Sequence, residues 1–428
     1  GFTGYQKDND TGLYYANARY YDANTGTFLR EDPWSGDINT PPSLHRYLYA
    51  NSNPTVYIDP DGRAAYLFDG TGQDANDPST INQTNIGKLR SLLDERRFYK
   101  HGVGTNDGWL GNKIGGLTGA GANYRMNEAY AEMVRNFNGI GKNGEAVEPD
   151  RTIDLFGFSR GAAIARIFAN KISEKGIPDL SSRREQWAYG SGGVLRKEVV
   201  FDNYFKPEIR FMGIFDTVGS FGKPGDASEV GFDTSISPNV DVVRHAVAKD
   251  EMRSSFPLTS AIDPTNPNDP RIQERMFTGV HSDIGGSYSD DDSLSHDSLY
   301  WIYEEAKKAG VPVKPYPDKW LPIQPDDVPK LPTYETPQQA YAAIYLGKDV
   351  SYYDRVPKQG SRTIHDSRYW HSKTPREIIF RANKRPNGDD VPAWFYDPVM
   401  ISMPEYEEYM RQNYDKPYWN VAEDYEAP

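Results

Sequence analysis

The sequence contains no cysteine. A disulfide scaffold, a thiol nucleophile and a zinc site built on thiolates are thereby excluded. Long apolar runs are missing too: no stretch of about 18 hydrophobic residues occurs, so no transmembrane helix is expected. The first residues, GFTGYQKDND, hold no basic segment followed by an apolar one. No signal peptide is therefore expected, and export would need another route. Cations are scarce relative to anions, with 48 Lys and Arg against 61 Asp and Glu and a formal net charge of −13. Such a surface repels phosphate backbones, which argues against a nucleic-acid partner, and it gains little from an anionic membrane. Only seven histidines are present, which keeps the search for a general base short.

Hydrophobic residues make up 37% of the 428, enough for a packed core, and the length suggests two or three domains. Aromatic residues are frequent, with 30 Tyr and 8 Trp. They suit a core, a partner surface or a membrane interface. Three textures follow one another. Residues 1–62 place short aromatic runs between turn signals such as DANTG and ANSNP, the pattern of short β-strands joined by tight turns. Residues 63–312 alternate strand and helix patterns. AAYLFD, RFYK, TIDLFG, IRFMGIFD, VVRHAVA and RMFTGV read as strands; NYRMNEAYAEMVRNF, GAAIARIFANKIS and LYWIYEEAKKAG read as helices. This alternation predicts an α/β fold with a mainly parallel sheet and helices on both faces. Residues 313–428 are rich in Pro, Tyr and Trp and weakly periodic, with PQQAYAAIYLG and PEYEEYMRQNY as short helices. That region is expected to serve as a cap, a docking surface or a wrapping tail.

The first segment carries a resemblance. Thr11-Gly12-Leu13-Tyr14-Tyr15, Ala18-Arg19-Tyr20-Tyr21-Asp22, Gly26, Asp32-Pro33, Pro54 and Asp59-Pro60-Asp61-Gly62 resemble the end of the core of RHS-repeat (YD-repeat) proteins. In that family a β cocoon surrounds a variable C-terminal toxin that begins after the DPxG element. The resemblance implies that the chain from about residue 63 is a toxin module. It also implies self-cleavage after DPxG, with Asp32, Asp59 and Asp61 as the acidic candidates. The family usually has Leu after that glycine, whereas Arg63 stands here, and the segment is expected to remain uncut.

The chemistry centres on Gly157-Phe158-Ser159-Arg160-Gly161, which follows the strand TIDLF and opens the helix GAAIARIFAN. A nucleophile elbow needs this context: the serine sits on a sharp turn above the sheet, small neighbours let strand and helix approach, and the helix N-terminus favours developing negative charge. The serine needs a base, and the base an orienting acid. Asp216 ends the next convincing strand, at the same sheet edge as the serine; the other role open to it is capping a turn. His281 follows RMFTGV and precedes a Gly-rich turn. His245, inside VVRHAVA, reads as a packed or hydrogen-bonded core residue and His296 as a helix cap. His365, with His371 nearby in TIHDSRYWH, is the alternative base. The oxyanion hole needs two backbone N–H groups: that of Arg160, and one from the loop of Gly70 and Thr71, with His101-Gly102-Val103-Gly104 as a second candidate. No metal site is apparent, and Asp290-Asp291-Asp292 reads as a solvated acidic turn.

Six motifs in order, FDGTG, GVGT, GFSRGAA, FDTVGS, HAVAKDEMRSSF and GVHSDIGGSY, resemble the DUF2235 domain, which includes the Tle1-class lipase effectors of type VI secretion. The resemblance implies an α/β-hydrolase-type domain over 63–312 with a triad of Ser159, Asp216 and His281. It implies phospholipase action at a target-cell membrane, no cofactor, a cognate immunity protein, and an upstream RHS shell and secretion spike as partners. The competing readings are a carboxylesterase acting on small non-membrane esters and a hydrolase-fold binding module without activity.

Overall fold

In a computed structural model of the chain, the described residues are 63–77, 83–93, 97–103, 119–147, 149–189, 195–221, 232–251, 253–288, 292–322, 377–380, 399–414 and 416, with short pieces of the first 62. The chain forms two compact units, Gly1–Asp61 and Gly62–Pro428. In the first, β1 (Gln6–Lys7), β2 (Tyr14–Ala16), β3 (Arg19–Asp22) and β4 (Thr27–Phe28) form an antiparallel meander. Tyrosine stands opposite tyrosine across β2 and β3, at Tyr14↔Tyr21 and Tyr15↔Tyr20. Asp32, Asp59 and Asp61 lie outside the described residues.

The second unit begins with β5 (Arg63–Phe68), α1 (Asn85–Leu92), β6 (Arg97–Lys100), α2 (Gly119–Phe137), β7 (Thr152–Phe158) and α3 (Arg160–Lys175). Four strands follow, β8 (Ile177–Pro178), β9 (Arg183–Tyr189), β10 (Leu195–Phe201) and β11 (Tyr204–Phe205). Then come β12 (Ile209–Phe215), β13 (Val240–Ala248), β14 (Leu258–Thr259), β15 (Ile272–Phe277), α4 (His281–Gly285) and α5 (Ser295–Lys308). The unit closes with β16 (Glu377–Phe380), β17 (Val399–Ser402) and α6 (Met403–Asn413). Six strands make one parallel sheet in the order β15-β13-β12-β7-β5-β6. The fold is therefore α/β with a parallel central sheet and helices on both faces, as the strand and helix alternation predicts.

Both faces of this sheet are covered, which explains why its strands read as continuous apolar runs rather than alternating ones. Tyr66, Phe68, Ile153 and Leu155 pack on one face with Met126 and Met133 of α2 and Phe168 of α3. Leu67, Phe156, Phe211 and Phe215 pack on the other with Leu89 of α1 and Trp301 and Ile302 of α5. Each such large side chain contributes about 1.5–3 kcal/mol when fully buried. The strand order reverses between β5 and β7, because the chain moves outward to β6 and then returns to build the other half. Crevices at the carboxyl ends of strands beside such a reversal are where open α/β sheets bind ligands.

Two features escape the sequence patterns. An antiparallel hairpin of β9 and β10 is inserted between α3 and β12, with Trp187 and Tyr189 exposed. The C-terminal region does not stand apart in its described portion: β16 pairs with β14 and with β17, and Tyr406 and Met410 of α6 are fully buried in the core. PQQAYAAIYLG lies outside the described residues.

Candidate active site

Ser159 connects β7 to α3 at φ 57° and ψ −125°, a backbone conformation that costs a non-glycine residue on the order of 1–3 kcal/mol. The neighbouring glycines show what permits it. A Cβ on Gly157 would stand 2.5 Å from the Gly161 carbonyl oxygen and 2.6 Å from the Ala162 Cα; one on Gly161 would stand 2.2 Å from the Phe68 carbonyl oxygen. Both contacts are with backbone, which cannot step aside. The Ser159 N–H donates to the Phe215 carbonyl at 3.0 Å, and the Ser159 carbonyl accepts from Ala162 and Val218. The elbow is thus tied to the helix behind it and to the end of β12 beside it.

His281 and Asp216 reach this serine from two further strand ends. The Ser159 hydroxyl lies 2.8 Å from His281 Nε2, and His281 Nδ1 lies 2.6 Å from Asp216 Oδ2. The other carboxylate oxygen, Oδ1, accepts from the Ala248 N–H at 2.9 Å. All three residues are buried. Asp216 itself has φ 37°, and its N–H donates to the Ala246 carbonyl at 2.7 Å. Burial pushes the His281 imidazole below its usual value, against the upward pull of the Asp216 carboxylate. A neutral imidazole bonded to a hydroxyl on one side and a carboxylate on the other can take a proton from that hydroxyl.

The imidazole is also fixed from outside the trio. Its ring packs against those of Phe158 and Phe256, at centroid distances of 4.7 and 5.0 Å. The His281 N–H donates to Glu251 Oε2 at 3.2 Å. Arg253 grips Glu251 with two hydrogen bonds of 2.9 Å and stacks over Phe256 at 3.7 Å. Sequence reasoning singled out neither Glu251 nor Arg253, although both stand in the HAVAKDEMRSSF motif.

The loop after β5 lies against the elbow. A Cβ on Gly70 would meet the Phe158 ring at 2.6 Å, and one on Gly102 would overlap the Gly70 carbonyl. The Gly70 N–H donates to Asp69 Oδ1 at 2.8 Å, so this N–H already has an acceptor. The Thr71 hydroxyl is buried and makes no hydrogen bond among the described residues. Asp69 is buried and accepts from Thr84 and Tyr99 as well, each at 2.8 Å. Burial raises its carboxyl to about 6, although these three donors favour the charged form. Arg160 heads α3, and burial lowers its guanidinium.

The other sequence candidates fall elsewhere. His365 and His371 lie outside the described residues. His245 is buried in β13 and bonded to Glu274. His296 sits in the first turn of α5. Asp292 differs from a solvated acidic residue: it is an ion-pair partner of the buried Lys88 at 2.7 Å. Among the described residues no group of three or more His, Asp or Glu is placed to hold a metal ion.

A family model for the catalytic domain of the Tle1-like phospholipase effectors of type VI secretion matches residues 63–191 and 194–305, more than half of the chain. The chain belongs to this family. The Tle1-like match ends within α5, at residue 305, so β16, β17 and α6 lie beyond it. Among curated proteins, a tRNA nuclease WapA of Bacillus subtilis is 28% identical over 196 residues, 39% of this chain and 8% of that protein. A probable deoxyribonuclease RhsA of Dickeya dadantii is 25% identical over 224 residues, 50% of this chain and 13% of its own. An uncharacterized protein of Saccharomyces cerevisiae is 27% identical over 241 residues, 48% of this chain and 33% of its own. The chain thus spans a small part of the curated relatives it matches. A solved Tle1 effector bound to the VgrG spike of the type 6 secretion system is 17% identical, over 60% of this chain and 74% of that one, with a TM-score of 0.41.

Proposed function

We propose that this Tle1-like phospholipase effector domain is a serine hydrolase that cleaves acyl esters of membrane phospholipids, with Ser159 as nucleophile, His281 as general base and Asp216 as the acid that orients it. One observation carries the reading: within the family's catalytic domain, a strained serine, an imidazole and a carboxylate form a single hydrogen-bonded row at 2.8 and 2.6 Å. Ser159 Oγ attacks the ester carbonyl carbon while His281 Nε2 takes the hydroxyl proton. Asp216 accepts from Nδ1 and stabilises the imidazolium. The oxyanion is received at the N-terminus of α3, where the Arg160 N–H stands, and by Thr71 of the facing loop, whose buried hydroxyl is a further donor. His281 returns the proton to the alcohol that leaves. Water, deprotonated by the same imidazole, then frees the fatty acid from Ser159.

The biological setting is part of the same proposal. A Tle1-like domain preceded by a segment that resembles an RHS core supports a toxin exported through a type VI system and held in check by an immunity protein in the producer. The nuclease names of two relatives do not carry over, because the matches cover 8% and 13% of those proteins. The test is fatty-acid release from phosphatidylethanolamine and phosphatidylglycerol vesicles by the wild type and by Ser159→Ala, with fluorophosphonate labelling in parallel. Release and labelling by the wild type alone are the expected result. Labelling with turnover of p-nitrophenyl butyrate but no vesicle hydrolysis would replace the lipase with a small-ester hydrolase.

A further inference from the structure

A second carboxylate–imidazole pair lies beside the first. His245 on β13 and Glu274 on β15 are both fully buried. His245 Nδ1 lies 2.5 Å from Glu274 Oε2. On its far side, His245 Nε2 is 3.1 Å from the backbone nitrogen of Thr217, the residue that follows Asp216. A backbone N–H can only donate, so Nε2 is the acceptor and the ring proton sits on Nδ1, directed at Glu274. Glu274 needs all of its acceptor capacity: Ser260 Oγ and the Ala261 N–H each donate to it at 2.7 Å, and the Tyr406 hydroxyl donates to Oε1. Tyr406 belongs to α6, beyond the family's catalytic domain, and its side chain is fully buried.

The turn held by this chain of contacts is the one that carries Asp216 at positive φ. A strained residue persists only where its surroundings over-determine it. Thr217 is held on both sides: its N–H by His245, and its carbonyl by the Thr259 N–H at 2.9 Å. Thr259 belongs to β14, the strand that pairs with β16. Both holds therefore lead back to the C-terminal region.

We propose that Tyr406, Glu274 and His245 are positioning residues: through them the C-terminal helix α6 fixes the Asp216 turn and hence the carboxylate that orients His281. The inference rests on the reading of Asp216 as the triad acid. It accounts for a buried ionisable pair that takes no part in the proposed chemistry, and it makes residues beyond the family domain part of the working site.

The full chain carrying Tyr406→Phe, His245→Asn or His245→Gln is compared with the wild type, with Tyr414→Phe as control. The Tyr414 hydroxyl donates to the Pro267 carbonyl at 2.5 Å, outside the relay. Three quantities are measured: kcat and KM on p-nitrophenyl butyrate, the rate of fluorophosphonate labelling at Ser159, and Tm. Tyr406→Phe and His245→Asn are expected to lower kcat by about 5- to 50-fold with KM within about twofold, and to slow labelling in parallel. His245→Gln keeps an acceptor near the Nε2 position and is expected to recover most of the rate. Tyr414→Phe is expected to lower Tm while kcat stays within about twofold. Wild-type kcat and labelling in folded Tyr406→Phe and His245→Asn, with only Tm reduced, would overturn the proposal. If His245→Asn fails to fold, Tyr406→Phe decides alone, because its ring keeps its place. If the wild type is not labelled at Ser159, the triad reading falls first and the relay falls with it.

Discussion

Two rows of carboxylate, imidazole and hydroxyl run through this sheet, and they have opposite fates. Asp216–His281–Ser159 ends on a strained serine at the edge where a crevice can form. Glu274–His245–Thr217 ends on a fully buried threonine, whose hydroxyl also lies 3.1 Å from Nε2. The difference lies in what occupies the base. His245 Nε2 already accepts a backbone N–H, so it has no lone pair for a hydroxyl proton, and no ester could reach Thr217. His281 Nε2 meets only the Ser159 hydroxyl among the described hydrogen bonds. Residue types at hydrogen-bonding distance thus do not make a nucleophile. A free acceptor on the base and an approach path for the carbonyl do.

The largest expected effects set the two rows directly against each other. If the proposed triad is right, Ser159→Ala is expected to lower kcat by about 10³-fold or more without unfolding, since the members of a catalytic triad act as a unit. Thr217→Val keeps the backbone N–H and is expected to cost less than about 10-fold. A Thr217→Val variant as dead as Ser159→Ala would mean that the roles of the two rows have been misread. Asp216→Asn against Glu274→Gln repeats the contrast one residue back. The first is expected to lose on the order of 10³–10⁴ in kcat, because the amide holds the wrong tautomer of His281. The second turns an N–H₂ toward groups that donate. It is expected to lose stability on the order of 1–3 kcal/mol, read as a shift in urea midpoint, with a smaller loss of kcat.

The first row was largely legible in the sequence and the second was not, for a physical reason. Gly157, Ser159 and Gly161 are constrained by close backbone approach, and Asp216 and His281 by the ends of strands whose apolar runs are plain. Local pattern therefore located them. Glu274 sits inside a buried strand, and only its pairing with His245 across the sheet and with Tyr406, 132 residues away, explains a carboxylate there. Sequence gives no register between β13, β15 and α6. A hint was available: a charged residue in the buried run IQERMF needs a partner. The β9–β10 hairpin is not announced by a buried apolar run: Trp187, Tyr189, Leu195 and Val199 share one exposed face, and Arg184, Gln186, Arg196 and Glu198 lie on the other. The role of Asp69 was hidden behind the glycines that follow it.

Removing residues from 390 onward tests whether the C-terminal region belongs to the membrane or to the fold. The deletion takes away β17 and α6, with Tyr406 and Met410 from the core. Activity on p-nitrophenyl butyrate and on vesicles is expected to fall together, with a Tm drop of several degrees or loss of folding. Retained butyrate hydrolysis with vesicle hydrolysis lost would assign the region to lipid access instead and would contradict the relay.

The smallest effect concerns a third buried carboxylate, Asp69, which has hydroxyl and amide donors where Asp216 and Glu274 have imidazoles. The acid limb of kcat/KM should show both kinds. As the proposed base, His281 must be neutral to accept the serine proton, and burial lowers its value from the usual 6.5. The main midpoint is therefore expected below pH 6.5, with activity rising as pH rises through it. Asp69 adds a second inflection near its raised value of about 6. Below that pH it binds a proton and must give up one of the contacts that hold Gly70, Thr84 and Tyr99. Its effect on stability has the opposite sense to that of a paired carboxylate. Both folded and unfolded states are protonated below about 3.8, and the unfolded state ionises first as pH rises. The contribution of Asp69 is thus fully present at low pH and is lost as pH rises toward 6, by about 3 kcal/mol. Asp69→Asn is accordingly expected to lose only a few-fold in kcat/KM at pH 7.5 and almost nothing at pH 5, because the wild-type loop is already protonated there. Over the same interval it should gain stability relative to the wild type, measured as a urea midpoint difference that grows between pH 4 and 7. A constant difference across that range would place the Asp69 carboxyl at an ordinary value and leave His281 as the group that sets the acid limb.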